Sequence, residues 1–185
     1  MISDILKETK ERMNHSVASL KEDLGVIRTG RASPALVEKL SVEYYGQPTP
    51  LIQLASISVP EPRQLLIKPF DPGSLKDIEK AIQASELGLT PNNDGKMIRL
   101  VLPQLTEERR KDLVKVVHAR VEEAHVAVRN IRRDAMKDIR EFKEEKLIGE
   151  DDEKRGEDEL QKLTDEIIRQ LDGIGSAKEK DVMEV

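Results

Sequence analysis

Three arginines at helical spacing, Arg129, Arg132 and Arg133, are the residues of this chain best suited to bind an anion. They lie three and four positions apart, so on a helix their guanidinium groups share one patch. No acidic residue occurs between Glu123 and Asp134, although the whole chain has a formal net charge of −5. Because guanidinium forks match the geometry of phosphate oxygens, the patch predicts docking to an RNA backbone or another anion.

The same pattern allows a second interpretation, a solvated helix face paired with acids of a neighbouring helix. Residues 105–149 hold twelve basic and ten acidic side chains, whereas residues 150–185 hold six basic and thirteen acidic ones, a net charge of −7. Nucleic acid would be repelled by that acidic end, so an anionic partner should meet the middle of the chain. Extending the line of the patch adds His125, Met136 and Arg140. Arg28 and Arg31 flank Gly30 and are either further contacts or ordinary helix-end and linker charges.

Residues that would support catalysis or metal binding are missing from the pattern. The chain has no cysteine, no Gly-rich phosphate loop and no nucleophile elbow. His118 and His125 stand seven residues apart, roughly 10 Å along a helix, too far to share one metal ion. Two Tyr and two Phe in all make base stacking an unsuitable main mode of RNA binding. We therefore expect no enzyme, no metal and no cofactor.

A long helix must carry the arginines, because apolar residues recur with a period of about 3.6 from Leu113 to Phe142. Thr106 is a suitable N-cap, and Glu107 and Glu108 favour the first turn. This helix should run to about residue 147, which is too long for one small core to cover. It therefore needs companion helices.

Two further apolar stripes supply those companions. One runs from Ile2 to Ile27 and should end at Thr29-Gly30, where glycine can take the left-handed cap. The other follows a turn near Gly149, and Gly156 should weaken its first turns. Its members are Leu160, Leu163, Ile167, Leu171 and Ile174. Three stripes predict a three-helix bundle formed by residues 1–30 plus 105–185.

Residues 31–104 contain all nine prolines and short β-type runs, which predicts an α+β domain inserted into the bundle. One helix is expected over Ser74–Ser85, with Ser74 as its cap. The predicted strands are Leu40–Tyr45, Leu54–Val59, Leu65–Ile67 and Met97–Leu102. The fold class is therefore α+β, a long three-helix bundle with a small inserted β/α/β domain.

Two short connections, residues 29–31 and 103–105, would join the insert to the bundle. Parallel linkers limit translation and permit bending, so they predict a hinge; a rigid packing of two domains is the alternative. The hinge residues are Thr29, Gly30, Arg31, Pro103, Gln104 and Leu105.

Several long motifs, collinear from near the N-terminus to the acidic end, closely resemble the bacterial ribosome-recycling factor family. They include Arg28-Thr-Gly-Arg-Ala-Ser-Pro34, Val42-Glu-Tyr-Tyr-Gly46, Leu105-Thr-Glu-Glu-Arg-Arg110, Val126-Ala-Val-Arg-Asn-Ile-Arg-Arg-Asp-Ala135 and Glu150-Asp-Asp152. The resemblance implies an L-shaped protein with a three-helix bundle as one arm and a small α+β domain as the other. It also implies a flexible double linker and an outline similar to that of transfer RNA.

The resemblance further implies a translation factor that binds the post-termination ribosome on large-subunit ribosomal RNA. With elongation factor G and GTP, it would separate the ribosome into subunits, without bond chemistry of its own. Arg129, Arg132 and Arg133 would contact ribosomal RNA, with Arg28 and Arg31 as supporting contacts. We expect a cytoplasmic monomer with no cofactor, no small-molecule substrate and no membrane partner.

Two positions depart from the family pattern. The family often has proline where this chain has Gln104, which implies a less stiff second linker. It often has serine where Gly149 stands, which implies a weaker cap on the third helix. On the bundle and charged surface alone, the rival function is a coiled-coil adaptor or chaperone-like protein that does not bind RNA.

Overall fold

A computed structural model describes residues 1–184, which form two compact units. The helical unit comprises Met1–Leu24 and the chain from Lys111 onward, and the inserted unit comprises Gly25–Arg110. The α+β fold class is confirmed, with long helices in one unit and a small sheet in the other. The predicted domain limits, at 30/31 and 104/105, and the hinge between them stay predictions.

Five helices and six strands make up the described chain. In chain order they are α1 (Ile2–Gly25), β1 (Ser41–Tyr44), β2 (Gln47–Pro50), α2 (Leu51–Leu54), β3 (Ala55–Glu61), β4 (Gln64–Pro69), α3 (Leu75–Ala84), β5 (Asn92–Asn93), β6 (Ile98–Val101), α4 (Glu107–Glu144) and α5 (Glu150–Met183). Short 3₁₀ turns precede β1 and α3, at Pro34–Leu36 and Pro72–Ser74.

The helical unit buries the predicted apolar stripes. On α4 the buried members include Leu113, Val117, Val128, Ile131 and Ile139. Its partners on the other two helices are Met13, Val17, Leu20, Leu24, Leu160, Ile167 and Leu171. No helix among the described residues is long and apolar enough to cross a membrane.

Helix α1 ends earlier than the sequence indicates. It stops at Gly25, so Thr29-Gly30 does not cap it and the prediction of that helix end was wrong. Gly30 does adopt a left-handed conformation, with φ of 79°. It uses that freedom in the linker, where a Cβ would lie 3.5 Å from Leu105 Cγ. The prediction that Gly30 takes a left-handed backbone is confirmed, but that conformation belongs to the linker and not to the end of α1.

Helix α4 is capped at both ends by its own neighbours. The Thr106 hydroxyl accepts a hydrogen bond from the Arg109 amide at 3.1 Å, as predicted for an N-cap. At the other end Lys146 has φ of 61°, and its N–H donates to the Lys143 carbonyl at 2.9 Å. Leu147 N–H donates to the Phe142 carbonyl, which completes a Schellman motif. The chain then turns directly into α5, whose N-cap Gly149 provides no side-chain hydrogen bond.

Two glycines of α5 allow the helices to approach closely. A Cβ at Gly175 would lie 2.6 Å from Val121 Cγ2 of α4. A Cβ at Gly156 would lie 3.1 Å from Ile2 Cγ2 of α1. The sequence indicated only that glycine lowers helix propensity. It could not indicate this close packing, because residue spacing does not show which distant residues pack together.

The inserted unit has a four-stranded antiparallel sheet in the order β3-β4-β6-β5 and a separate β1-β2 hairpin. Helix α3 buries Leu75, Ile78 and Ile82 against this core, as predicted. Ser74 precedes the helix, but its hydroxyl donates to the Asp71 carbonyl and provides no cap hydrogen bond. The core residues from the strands and loops are Val37, Val42, Leu51, Leu54, Ala55, Leu65, Ile67, Leu89, Ile98, Leu100 and Leu102.

The four predicted strands correspond to β1, β3, β4 and β6, with ends shifted by up to two residues. Strand β2 was not predicted because it contains Pro48 and Pro50, which cannot donate to a ladder. It pairs only with β1, where an edge position tolerates proline. The two-residue β5 was also missed, as was the single turn α2.

The residues that adjoin the two linkers, Ala32 and Leu102, are hydrogen-bonded to one turn of the inserted unit. The Ala32 amide donates to the Pro62 carbonyl at 2.7 Å, and the Leu102 amide donates to the Arg63 carbonyl at 2.8 Å. Because Pro62 and Arg63 are consecutive, the two passes of the chain run side by side at this point.

Candidate nucleic-acid interface

The predicted arginine patch lies along one face of α4 and borders an open groove of about 700 Å³. Arg129, Arg132 and Arg133 are all on it, so the structure brings the three together as the spacing required. The remaining lining residues are Met136, Lys137, Arg140, Glu141 and Glu144. Five cationic side chains against two carboxylates make the groove a positive site within an acidic chain.

On the α5 side, polar pairs join α4 to the third helix. Arg140 Nε lies 3.5 Å from Glu157 Oε1, and Lys143 pairs with Glu153. The hydrogen bond from Lys143 to Glu153 raises the pKa of the lysine. Acids of the third helix therefore neutralise the C-terminal part of this α4 face, at Arg140 and Lys143.

On the α1 side, Asp134 is turned away from the groove. Its carboxylate lies 3.0 Å from Arg12 Nη2 of α1, a partly exposed pair. Asp134 is the acid that ends the acid-free run, so its pairing with Arg12 leaves the adjacent Arg133 without a neutralising neighbour from this side.

The three arginines differ in what their guanidinium groups already bind. Arg129 pairs with Glu122 of its own helix at 3.3 Å, and both side chains are more than half exposed. Such an exposed pair contributes about 0–1 kcal/mol, so a partner can displace it. Arg132 Nε donates to the amide oxygen of Gln161 at 3.1 Å. Within residues 1–184, Arg133 has no hydrogen-bond or ion-pair partner.

Of the three residues expected to extend the patch along α4, two line the groove and one does not. Met136 and Arg140 line the groove, but His125 does not. His125 points to α5, where Nε2 lies 2.7 Å from Asp172 Oδ1 and only 16% of the side chain is exposed. Lys137 lines the groove and was missed, although it stands four residues after Arg133 and could have been found from that spacing.

His118 and His125 pair with carboxylates rather than with one another. His118 Nε2 lies 3.0 Å from Glu179 of α5, seven residues from the His125–Asp172 pair on both helices. Among residues 1–184 no three potential ligand side chains are grouped closely enough to hold a metal ion.

Arg28 and Arg31 belong to the inserted unit, not to the groove. Arg28 is half-buried, and its Nη1 donates to the Leu87 carbonyl at 3.1 Å. Its Nε is buried without a hydrogen-bond partner among the described atoms. Arg31 is exposed, and its amide donates to the Thr29 hydroxyl at 3.4 Å. Arg28 therefore already holds a backbone carbonyl, unlike Arg129, Arg132 and Arg133 of α4.

Comparison with known proteins gives consistent matches over the whole chain. Residues 20–183 match the sequence profile described as ribosome recycling factor. The ribosome-recycling factor of Roseiflexus castenholzii is 56% identical over 185 residues, covering 100% of both chains. A solution structure of a ribosome recycling factor is 46% identical with a TM-score of 0.80, covering 100% of this chain and 98% of that one. The T. thermophilus ribosome recycling factor, presented with the E. coli elongation factor G bound to the E. coli post-termination complex, is 44% identical with a TM-score of 0.71 and full coverage of both chains.

Proposed function

This chain belongs to the ribosome recycling factor family, and from that premise we propose that it binds the post-termination ribosome and separates it into subunits with elongation factor G and GTP. The T. thermophilus relative, similar over its full length, is described together with elongation factor G on a post-termination complex. The proposal requires no bond chemistry from this chain, because GTP hydrolysis belongs to the elongation factor.

The observation that carries the proposal is the cationic groove of α4. Arg129, Arg132 and Arg133 present guanidinium groups on one rigid helix, and phosphate oxygens of large-subunit ribosomal RNA fit such forks. The lining residues include no aromatic side chain, so contact with the RNA backbone and shape is favoured over base stacking. The groove is the anchor of the protein on the ribosome.

The two linkers would give the inserted unit its freedom to move. Gly30 has a left-handed backbone, and it packs beside Leu105 of the second linker. Thr29, Arg31, Pro103 and Gln104 complete the pair of connections. We assign the hinge to these six residues, with Gln104 in place of a second proline leaving the second linker one more free φ torsion after Pro103.

The decisive test is Arg132→Ala, measured as equilibrium binding to purified large ribosomal subunits. Loss of one charge-assisted phosphate contact should lower the affinity about 10- to 100-fold. The slope of log affinity against log salt should become shallower by about 0.7 to 0.9. Helix content should not change.

Arg120→Ala is the matched control, because it removes the same charge from α4 at a position outside the groove. Arg120 stands nine residues before Arg129, on the opposite face of the helix at about 100° per residue. If the two variants bind equally well, the α4 arginines are not the anchor. A flat salt dependence of the unmodified protein would instead favour the adaptor function.

The recycling step needs its own measurement. Post-termination ribosomes should dissociate into subunits when this protein, elongation factor G and GTP are all present, and should persist when any one is left out. Dissociation that proceeds equally without this protein would contradict the proposal.

A further inference from the structure

The contact between Arg132 and Gln161 differs from its neighbours along the α4–α5 edge. Arg140–Glu157 and Lys143–Glu153 precede it toward the loop, and His125–Asp172 and His118–Glu179 follow it. Each of those four pairs joins a basic side chain of α4 to a carboxylate of α5. At Arg132 the partner is a neutral amide.

Gln161 is held in place from its other side. Its Nε2 donates to Asp165 Oδ1 at 2.8 Å, one helical turn further along α5. Its Oε1 is thereby turned to accept from Arg132 Nε at 3.1 Å. The amide links the guanidinium to the Asp165 carboxylate, so Asp165 orients Gln161 without pairing directly with Arg132.

The choice of Nε as the bonded atom has a consequence for binding. A hydrogen bond at Nε fixes the plane of the guanidinium, while the two terminal nitrogens have no hydrogen-bond partner among residues 1–184. A phosphate group approaching the groove would meet a fork that is already oriented and still fully charged. Pre-orientation reduces the side-chain entropy lost on binding.

We infer that Gln161 is a positioning residue, which orients Arg132 toward phosphate while leaving its charge unneutralised. This inference rests on the proposed function, because it concerns how one arginine of the RNA-binding groove is presented. Gln161 itself does not line the groove. Its effect on affinity should therefore pass entirely through Arg132.

The test uses Gln161→Met, which keeps the length and helix propensity of the side chain but removes the acceptor. Affinity for large ribosomal subunits should fall about 3- to 10-fold, the cost of ordering one long side chain on binding. Gln170→Met is the control, nine residues along α5 on the opposite face, and it should bind like the unmodified protein.

Gln161→Glu tests the effect of charge at this position. The new carboxylate would accept from Arg132 and neutralise it, and it could no longer donate to Asp165, so affinity should fall more than tenfold and the salt slope should become shallower by nearly one phosphate contact. Binding of this variant at the original affinity would overturn the inference, because direct pairing would then be harmless.

A double-variant cycle completes the test. In an Arg132→Ala background, Gln161→Met should have no further effect on affinity. An equal loss in both backgrounds would show that Gln161 acts independently and would overturn the inference. Normal binding by Arg132→Ala itself would instead contradict the proposed function, so the two failures are distinguishable.

Nuclear magnetic resonance distinguishes a positioning role of Gln161 from a purely structural one. The side-chain ¹⁵Nε–H signal of Arg132 should show slowed hydrogen exchange in the unmodified protein and lose that protection in Gln161→Met. Backbone amide signals of α5 should stay in place. An unchanged Arg132 signal would overturn the inference.

Discussion

The helical unit and the inserted unit use arginine in opposite ways. On α4, Arg133 is exposed without a partner within residues 1–184, and Arg132 keeps both terminal nitrogens available. In the inserted unit, Arg28 is half-buried and donates to the Leu87 carbonyl. A guanidinium that already holds a partly buried backbone carbonyl supports the fold, whereas one whose terminal nitrogens are not engaged is suited to a partner.

The difference follows from how each unit forms its core. The helical unit buries narrow stripes, so the outer face of each long helix stays in water and can carry charge. The inserted unit gathers apolar residues from strands, loops and α3 around one core. A long side chain such as Arg28 then lies against backbone groups that need donors.

The largest expected effect on stability concerns the close approach of α4 and α5 at Gly175. Gly175→Ala would place a Cβ 2.6 Å from Val121 Cγ2, and the β-branched valine has few alternative rotamers. Unfolding free energy should fall by about 1–3 kcal/mol, as measured by chemical denaturation.

Gly173→Ala is the control two residues earlier on the same helix. A Cβ there has no atom within 4 Å, so helix propensity alone should raise stability by up to about 1 kcal/mol. If both substitutions stabilise the protein, α4 and α5 do not approach as closely at Gly175 as the structure indicates.

The second prediction contrasts the two kinds of arginine directly. Arg28→Ala should lower the unfolding free energy by about 1–2 kcal/mol through loss of its charge-assisted hydrogen bond, with a smaller loss of ribosome affinity than Arg133→Ala. Arg133→Ala should change stability by no more than about 0.5 kcal/mol and should lower ribosome affinity. Denaturation and binding are measured on both proteins. If Arg133→Ala destabilised the protein and Arg28→Ala caused the larger loss of affinity, the roles assigned to the two arginines would be reversed.

The smallest effect is expected at the turn between α4 and α5. Lys146→Gly should stabilise the protein by about 0.5–1 kcal/mol, because glycine adopts the left-handed cap conformation without strain. Glu145→Gly, one residue earlier and without positive φ, should not stabilise. Neither change touches an arginine, so ribosome affinity should stay constant in both. A change in affinity would mean that stability, not the guanidinium groups, limits binding.

Much of this architecture could be predicted from local pattern. The apolar stripe of α4 required a long helix, since a 3.6-residue period repeated from Leu113 to Phe142 has no other regular solution. Thr106 marked its beginning because a hydroxyl can cap orphan amides there. Strand β2 could not be predicted, because its pairing with β1 outweighed the local proline signal. Helix α1 ends at a local signal, Gly25, whereas the prediction placed its end at the next glycine, Gly30.

In the candidate site, too, local features could be predicted from the sequence and long-range contacts could not. Spacing alone placed Arg129, Arg132 and Arg133 on one face, because helical geometry is local. What each side chain of this face binds depends partly on residues far along the chain, such as Gln161 for Arg132 and Asp172 for His125, which only helix packing brings near. That packing removed His125 from the predicted patch. Packing of the inserted unit likewise brings Arg28 to the Leu87 carbonyl, because a carbonyl that is shielded from water needs a donor.

The sequence by itself therefore determined that the chain carries a cationic helix face within an acidic protein of this family. The tertiary structure decided which cations remain available to a partner. The physical reason is that charge and periodicity are properties of the chain, whereas neutralisation of a charge requires a second group within about 4 Å.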